Sequence, residues 1–359
     1  MPLFRLILVL CAAMIPAWAG ATAPQLELAA QAYVIGNPAT GKILAEKNAD
    51  MLIQPASLTK LMTAYMLFDA LKQGTLTLDS TLPVSEAAWR KEGSKMFVEV
   101  GKTARIAEYL GGTEAAFAQT MTNRAEGLGL TNTIFKNSTG WPDEGHLTTA
   151  KDMFILASRL IRDFPEYYSY FGQPGFTYSG ISQPNRNGLL FQNVGVDGMK
   201  TGHTDDSGYH LLASAQRQNQ RYIAVVMGTK GFQDREAEAL KGLNWAFANF
   251  RERTLIQAQQ VVKAEAPTWL ATQPTVPLLA AQDVKALFGP GQGEGVKATL
   301  IYAGPIAAPL AAGSEVGFVQ ITDANGTELG RTPVLTGAAL VAQTGLGTWF
   351  QKLAYRFGF

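Results

Sequence analysis

The chain has 359 residues, 47% of them hydrophobic and 16% charged, with a formal net charge of +1. That composition suits a folded protein of about two domains, and the near-neutral charge argues against nucleic acid as a partner. The single cysteine, Cys11, lies in the first apolar run, so the rest of the chain offers no disulfide, thiolate nucleophile or zinc–thiolate site.

The chain opens MPLFRLILVLCAAMIPAWAG. One cation, Arg5, precedes an apolar run from Leu6 to Ile15, and Ala17-Trp18-Ala19 follows. This is the layout of a secretory signal over residues 1–19, with cleavage expected after Ala19. The run is short for a retained membrane span.

Residues 31–48 alternate, turn through Asn-Pro-Ala-Thr-Gly and alternate again, which predicts a β-hairpin. After Pro55, SLTKLMTAYMLFDALKQG has helical spacing up to Gly74. It is apolar nearly all round, so it is expected in the centre of a domain. Residues 104–128 and 148–163 predict further helices, 208–229 two strands joined by a polar turn, and 234–250 an amphipathic helix. Strands at both ends with helices between predict an α/β (α+β) fold: an antiparallel sheet with a helical cluster, over residues 20–250.

From about residue 251 short β-like runs replace helical periodicity, with Asp323-Ala-Asn-Gly326 as a turn. A small β-domain over 251–340 is expected. In the last stretch, 341–359, Leu346, Trp349, Phe350, Leu353 and Phe357 share one helical face, while Gln351, Lys352 and Arg356 lie elsewhere. Such a helix is expected to lie on a membrane surface.

Three features bear on chemistry. The three histidines, His146, His203 and His210, have no metal-ligand spacing. His146 sits in a Gly/Pro/Asp-rich loop and His210 in a predicted strand, and both read as structural. The run Gly101-Lys102-Thr103 looks like the end of a phosphate loop, but the position where such a loop requires its earlier glycine is Met96. That excludes the nucleotide reading.

Ser57-Leu-Thr-Lys60 is the better candidate. Residues three apart share a helical face, so Lys60 can reach the Ser57 hydroxyl. A serine nucleophile needs a base, and a lysine serves only when neutral, as burial or a second cation would make it. Helix-end N–H groups would face developing negative charge there. The second element is Lys200-Thr201-Gly202, followed by His203, ahead of the predicted strand pair. Its lysine and hydroxyl suit a substrate carboxylate, and its glycine lets substrate lie close to the backbone.

Serine penicillin-binding proteins and class A β-lactamases share these two motifs. The segments QPASLTKLMTAYMLFDALKQG, GSKMFVEVG, LGLTNTIFKNSTGWPDEGHLTTAKDM and GVDGMKTGHTDDSGYHLLASA narrow the match. Over about residues 25–250 the chain closely resembles low-molecular-mass penicillin-binding proteins, the D-alanyl-D-alanine carboxypeptidases. The resemblance implies removal of the terminal D-alanine from peptidoglycan pentapeptides and acylation by β-lactam antibiotics. It makes Ser57 the acylated nucleophile and Lys60 its proton acceptor. Lys200 and Thr201, with Gly202, would bind the substrate carboxylate, and the backbone N–H groups of Ser57 and His203 would form the oxyanion hole. No cofactor is implied. The expected location is the periplasm, peripheral on the outer face of the inner membrane.

One motif of that family is absent. No Ser-x-Asn or Tyr-x-Asn occurs between Lys60 and Lys200. In relatives a helix and a Ser-Gly-Asn loop separate a segment like FVEVG from one like AEYLGG. Here Gly101 runs almost directly into ARIAEYLGG, as an internal deletion of that unit would leave it. Losing a proton relay costs about 10²–10⁴ in rate. Two readings stay open: a weakened carboxypeptidase, and a penicillin-binding wall protein without turnover on the same scaffold. A β-lactamase has no separate support.

Overall fold

The computed structural model describes residues 5–11, 22–80, 106–178 and 180–345. The cleavage site at Ala19, the GSKMFVEVG segment, the Gly101-Lys102-Thr103 run and most of the terminal amphipathic stretch lie outside the described residues. Two compact units form: Pro24–Asn249, and Phe250–Phe359 together with Met1–Ala23.

The first unit is built on a five-stranded antiparallel sheet. Strands β2 (Ala32–Gly36) and β3 (Ile43–Lys47) form the expected hairpin. They are followed in space by β8 (Gln220–Thr229), β7 (Gly208–Arg217) and the edge strand β6 (Val196–Thr204), in the order β3-β2-β8-β7-β6. Both faces are covered. Ala32, Val34, Ile223, Val225 and Met227 face a helical core. On the other face, helix α5 (Phe232–Asn249) packs on β7 and β8, with Tyr222 edge-on to Phe247. Burial on two sides explains why Tyr222-Ile-Ala-Val-Val-Met227 reads as a continuous apolar run rather than an alternation.

The helical core holds α1 (Lys60–Lys72), α2 (Ile106–Gly111), α3 (Glu114–Leu128) and α4 (Ala150–Asp163). Leu61, Met62, Tyr65 and Phe68 of α1 are buried there, each contributing about 1.5–3 kcal/mol. Two boundaries differ from expectation. The α-helix starts at Lys60, and Ala56–Thr59 form a 3₁₀ turn before it. Residues 104–128 split into α2 and α3, because the Thr113 side chain accepts the Ala116 N–H and caps a new helix.

Thr149 caps α4 in the same way, accepting the Asp152 N–H. A small hairpin, β4 (Gly175–Tyr178) and β5 (Ile181–Pro184), precedes β6.

The second unit is all-β among its described residues. Strands β1 (Arg5–Cys11), β13 (Lys297–Ala303), β15 (Glu315–Thr322), β16 (Glu328–Thr336), β11 (Thr275–Ala280), β10 (Val261–Trp269) and β14 (Ile306–Ala307) form one sheet in that order. Strands β9 (Arg251–Ile256) and β12 (Val284–Phe288) pair separately. The turn at Asp323–Gly326 joins β15 to β16. There the Asp323 carboxylate accepts the N–H groups of Asn325 and Thr327, a side-chain turn typical of Asp.

Candidate active site

Ser57 and Lys60 stand at the joint between the 3₁₀ turn and α1. In a 3₁₀ turn, side chains three apart lie above one another, and Lys60 Nζ is 3.0 Å from Ser57 Oγ. Lys60 also donates to the Thr139 carbonyl at 2.6 Å. Burial, assisted by the charge of Arg186, lowers its pKa to about 8. A lysine so placed is partly neutral near neutral pH and can take a proton from the hydroxyl beside it.

The turn is wedged between two backbones. Ala56, just before Ser57, has φ 47°, in the left-handed region. On one side Gly140, itself at φ +85°, comes so close that a Cβ there would lie 1.7 Å from the Ala56 carbonyl oxygen. On the other side a Cβ at Gly202 would be 3.2 Å from the Pro55 oxygen and 3.3 Å from Ala56 Cβ. Only glycine admits the first approach, and a Cβ at the second would press on the turn.

Residues Lys200, Thr201, Gly202 and His203, expected ahead of the strand pair, lie within β6 and pair with β7. Gly198 and Gly202 weaken the strand pattern in the sequence, and an edge strand tolerates them. Lys200 Nζ donates to the Thr201 carbonyl at 2.8 Å. Burial and the charges of Lys60, Arg186 and Arg235 push its pKa down to about 7. The His203 ring stacks on Tyr209 with centroids 3.9 Å apart.

Residue patterns alone did not single out Arg186 and Arg235. Arg235 is buried on α5 and spans from the Gly202 carbonyl to the Arg186 carbonyl, 3.4 Å from each. With Lys60 and Lys200 these arginines form a cluster of four cations: Arg186 acts on both lysines, and Lys60 and Arg235 act on Lys200. Such a cluster suits a carboxylate. A lone arginine in a helix or loop gives no signal of this; only the fold collects them.

Asn137 was also missed. Its Oδ1 accepts the N–H groups of Thr139, Gly140 and Trp141 at 2.8–3.2 Å, and its Nδ2 donates to the Trp141 carbonyl at 2.9 Å. That shapes the loop presenting the Thr139 carbonyl to Lys60. The run Lys-Asn-Ser-Thr-Gly is a turn signal, but it does not say what the turn faces.

Comparison with known proteins identifies the family. Residues 19–231 match the D-alanyl-D-alanine carboxypeptidase family, and residues 250–342 match the C-terminal domain of penicillin-binding protein 5. The chain is 36% identical to the D-alanyl-D-alanine carboxypeptidase DacA of Haemophilus influenzae, covering 84% of this chain and 82% of that protein. It superposes on the crystal structure of penicillin-binding protein 5 from Haemophilus influenzae with a TM-score of 0.76 at 34% identity, over 90% of this chain and 100% of that one. A structure of penicillin-binding protein D2 from Listeria monocytogenes with ampicillin bound matches at a TM-score of 0.56 and 29% identity, over 62% of this chain and 100% of that one. The chain belongs to the D-alanyl-D-alanine carboxypeptidase family, with a C-terminal domain of the penicillin-binding protein 5 type.

Proposed function

We propose that the chain releases the terminal D-alanine of peptidoglycan pentapeptides through an ester on Ser57. The observation that carries this is the 3.0 Å contact between Ser57 Oγ and a Lys60 whose pKa is lowered to about 8. Ser57 Oγ attacks the carbonyl carbon of the penultimate D-alanine while its proton passes to Lys60 Nζ. The backbone N–H groups of Ser57 and His203 receive the developing oxyanion. Lys60 returns the proton to the departing amine, the amide C–N bond breaks, and water later hydrolyses the ester.

Lys200 and Thr201, with Gly202 close to the backbone of the Pro55–Ala56 turn, bind the terminal carboxylate. Arg186 and Arg235 extend the same positive pocket, and the anion restores full charge to Lys200. β-Lactams carry a carboxylate and a reactive amide and enter by the same route, as the ampicillin complex of the Listeria relative suggests.

Loss of the Ser-x-Asn unit lowers turnover. Among the described residues the second partner of Lys60 is the Thr139 carbonyl, an acceptor without a proton to relay. The second reading, a penicillin-binding wall protein without turnover, follows from the same observation. Labelled penicillin is expected to mark the wild type and not Ser57→Ala, and D-alanine release from a pentapeptide separates the two readings. If neither signal exceeds that of Ser57→Ala, the enzyme reading fails.

Residues 1–19 act as the export signal, 20–250 as the carboxypeptidase domain and 251–340 as the β-rich domain. Residues 341–359 rest on the outer face of the inner membrane. Among the described residues no helix is long and apolar enough to cross a membrane.

A further inference from the structure

The mechanism above makes no use of two buried histidines, yet both end on the same short turn. His210 is fully buried on β7, and His146, in the loop after Trp141, is 1% exposed. A backbone N–H can only donate. The Lys136 N–H reaches His146 Nδ1 at 3.3 Å and the Gly228 N–H reaches His210 Nδ1 at 2.9 Å, so both Nδ1 atoms are acceptors. Burial lowers both rings to about 4. Each is therefore a neutral imidazole with its one proton on Nε2. His146 Nε2 lies 2.8 Å from Thr59 Oγ1, and His210 Nε2 lies 3.1 Å from the Gln54 carbonyl oxygen, with Ser207 Oγ 3.0 Å away.

Gln54 and Thr59 bracket the turn that carries Ser57. Inside the bracket, Ala56 occupies the left-handed region, which costs an alanine energy and persists only where the surroundings fix it. Helix packing fixes the Lys60 end, since Leu61 and Met62 are fully buried. Ahead of Ser57 the Ile53–Thr148 bridge and the Gly140 and Gly202 backbones confine the chain, and the Gln54 carbonyl between them accepts the His210 Nε2–H.

We propose that His146 and His210 are positioning residues: two neutral imidazoles, one from each side, that pin Thr59 and the Gln54 carbonyl and so hold Ser57 Oγ within reach of Lys60. The kinetic part of this proposal rests on the acyl-enzyme reading of Ser57. Neither ring touches substrate or exchanges a proton during the reaction.

The test has two arms, both on the full chain. The first needs no activity. In ¹⁵N-histidine spectra, His146 and His210 are expected to carry slowly exchanging Nε2–H protons, unlike exposed His203, and Thr59→Val is expected to move the His146 signal alone. A bare Nε2 on either ring, or a His146 signal unmoved in Thr59→Val, overturns the pins.

The second arm measures penicillin acylation. Thr59→Val and His146→Leu are expected to slow the acylation step by about tenfold or more, the scale of a small misplacement, with the penicillin dissociation constant unchanged. The double variant is expected to be no slower than either single one. His146→Gln, which can return an N–H near the Nε2 position, is expected to recover most of the rate, a rescue that mere packing would not give. Thr59→Val keeps the side-chain shape, so it decides the matter if His146→Leu does not fold. Acylation of Thr59→Val at the wild-type rate, or full multiplicativity in the double variant, overturns the proposal. A wild type that penicillin does not label instead overturns the acyl-enzyme reading, and the spectra still judge the pins.

Discussion

At the scale of single residues, the charge state of Lys60 sets the chemistry. Its protonated form cannot accept the Ser57 proton, so below a pKa of about 8 the acylation rate is expected to fall with the neutral fraction, about tenfold per pH unit. Arg186 is one of the two causes that hold this pKa down. Arg186→Gln removes a repelling cation, so the acid limb of the pH–acylation profile is expected to move to higher pH. Stopped-flow labelling across pH 6–10 checks it, and a limb that stays put in the variant would remove Arg186 from the electrostatics of the site. The contact itself was legible: Ser57 and Lys60 are three apart in a helix start, and their side chains meet. Arg186 was not legible, because its effect on Lys60 and Lys200 acts through space from a loop well over a hundred residues along the chain from Lys60.

At the scale of elements, helix caps and close backbone contacts differ in what they control. Thr113 caps α3 from an exposed position. Thr113→Ala is expected to cost about 1 kcal/mol in urea unfolding while leaving penicillin labelling unchanged. Gly140→Ala meets two obstacles, its φ of +85° and the Ala56 carbonyl oxygen 1.7 Å from the new Cβ. It is expected to cost more than about 2 kcal/mol and to slow labelling as well, because relief requires the nucleophile turn to move. Equal labelling in both variants would show that the Gly140 contact does not govern Ser57. Thr113 stands before a helix as a good capping residue, yet residues 104–128 read as one helix, since periodicity carried across the break. The Lys200–His203 run stood ahead of the predicted strand pair, and it is the ladder with β7 that makes it part of the sheet.

At the scale of the whole molecule, every group placed around Ser57 belongs to the unit Pro24–Asn249. A chain ending at Asn249 is expected to label with penicillin within about twofold of the intact protein, as independent units should. Loss of labelling in a truncated chain that keeps a cooperative unfolding transition would tie the β-rich unit to the reaction. Deleting residues 343–359 is expected to release the protein from vesicles containing anionic lipid, measured by flotation. Unchanged flotation would refute the surface helix.

The sequence by itself determined the class of fold and the family. Hydrophobic period separates the buried helix α1 from the β-hairpin and the strand pair, and the Ser57–Lys60 and Lys200–Gly202 motifs are local patterns that survive without coordinates. Only the tertiary structure decided what surrounds them. It set two glycine backbones against Ala56, gathered Arg186 and Arg235 beside two lysines, and turned two unremarkable histidines toward the ends of one turn. These are contacts between residues far apart in the chain, created by packing. Period, propensity and motif spacing record only what near neighbours do to one another.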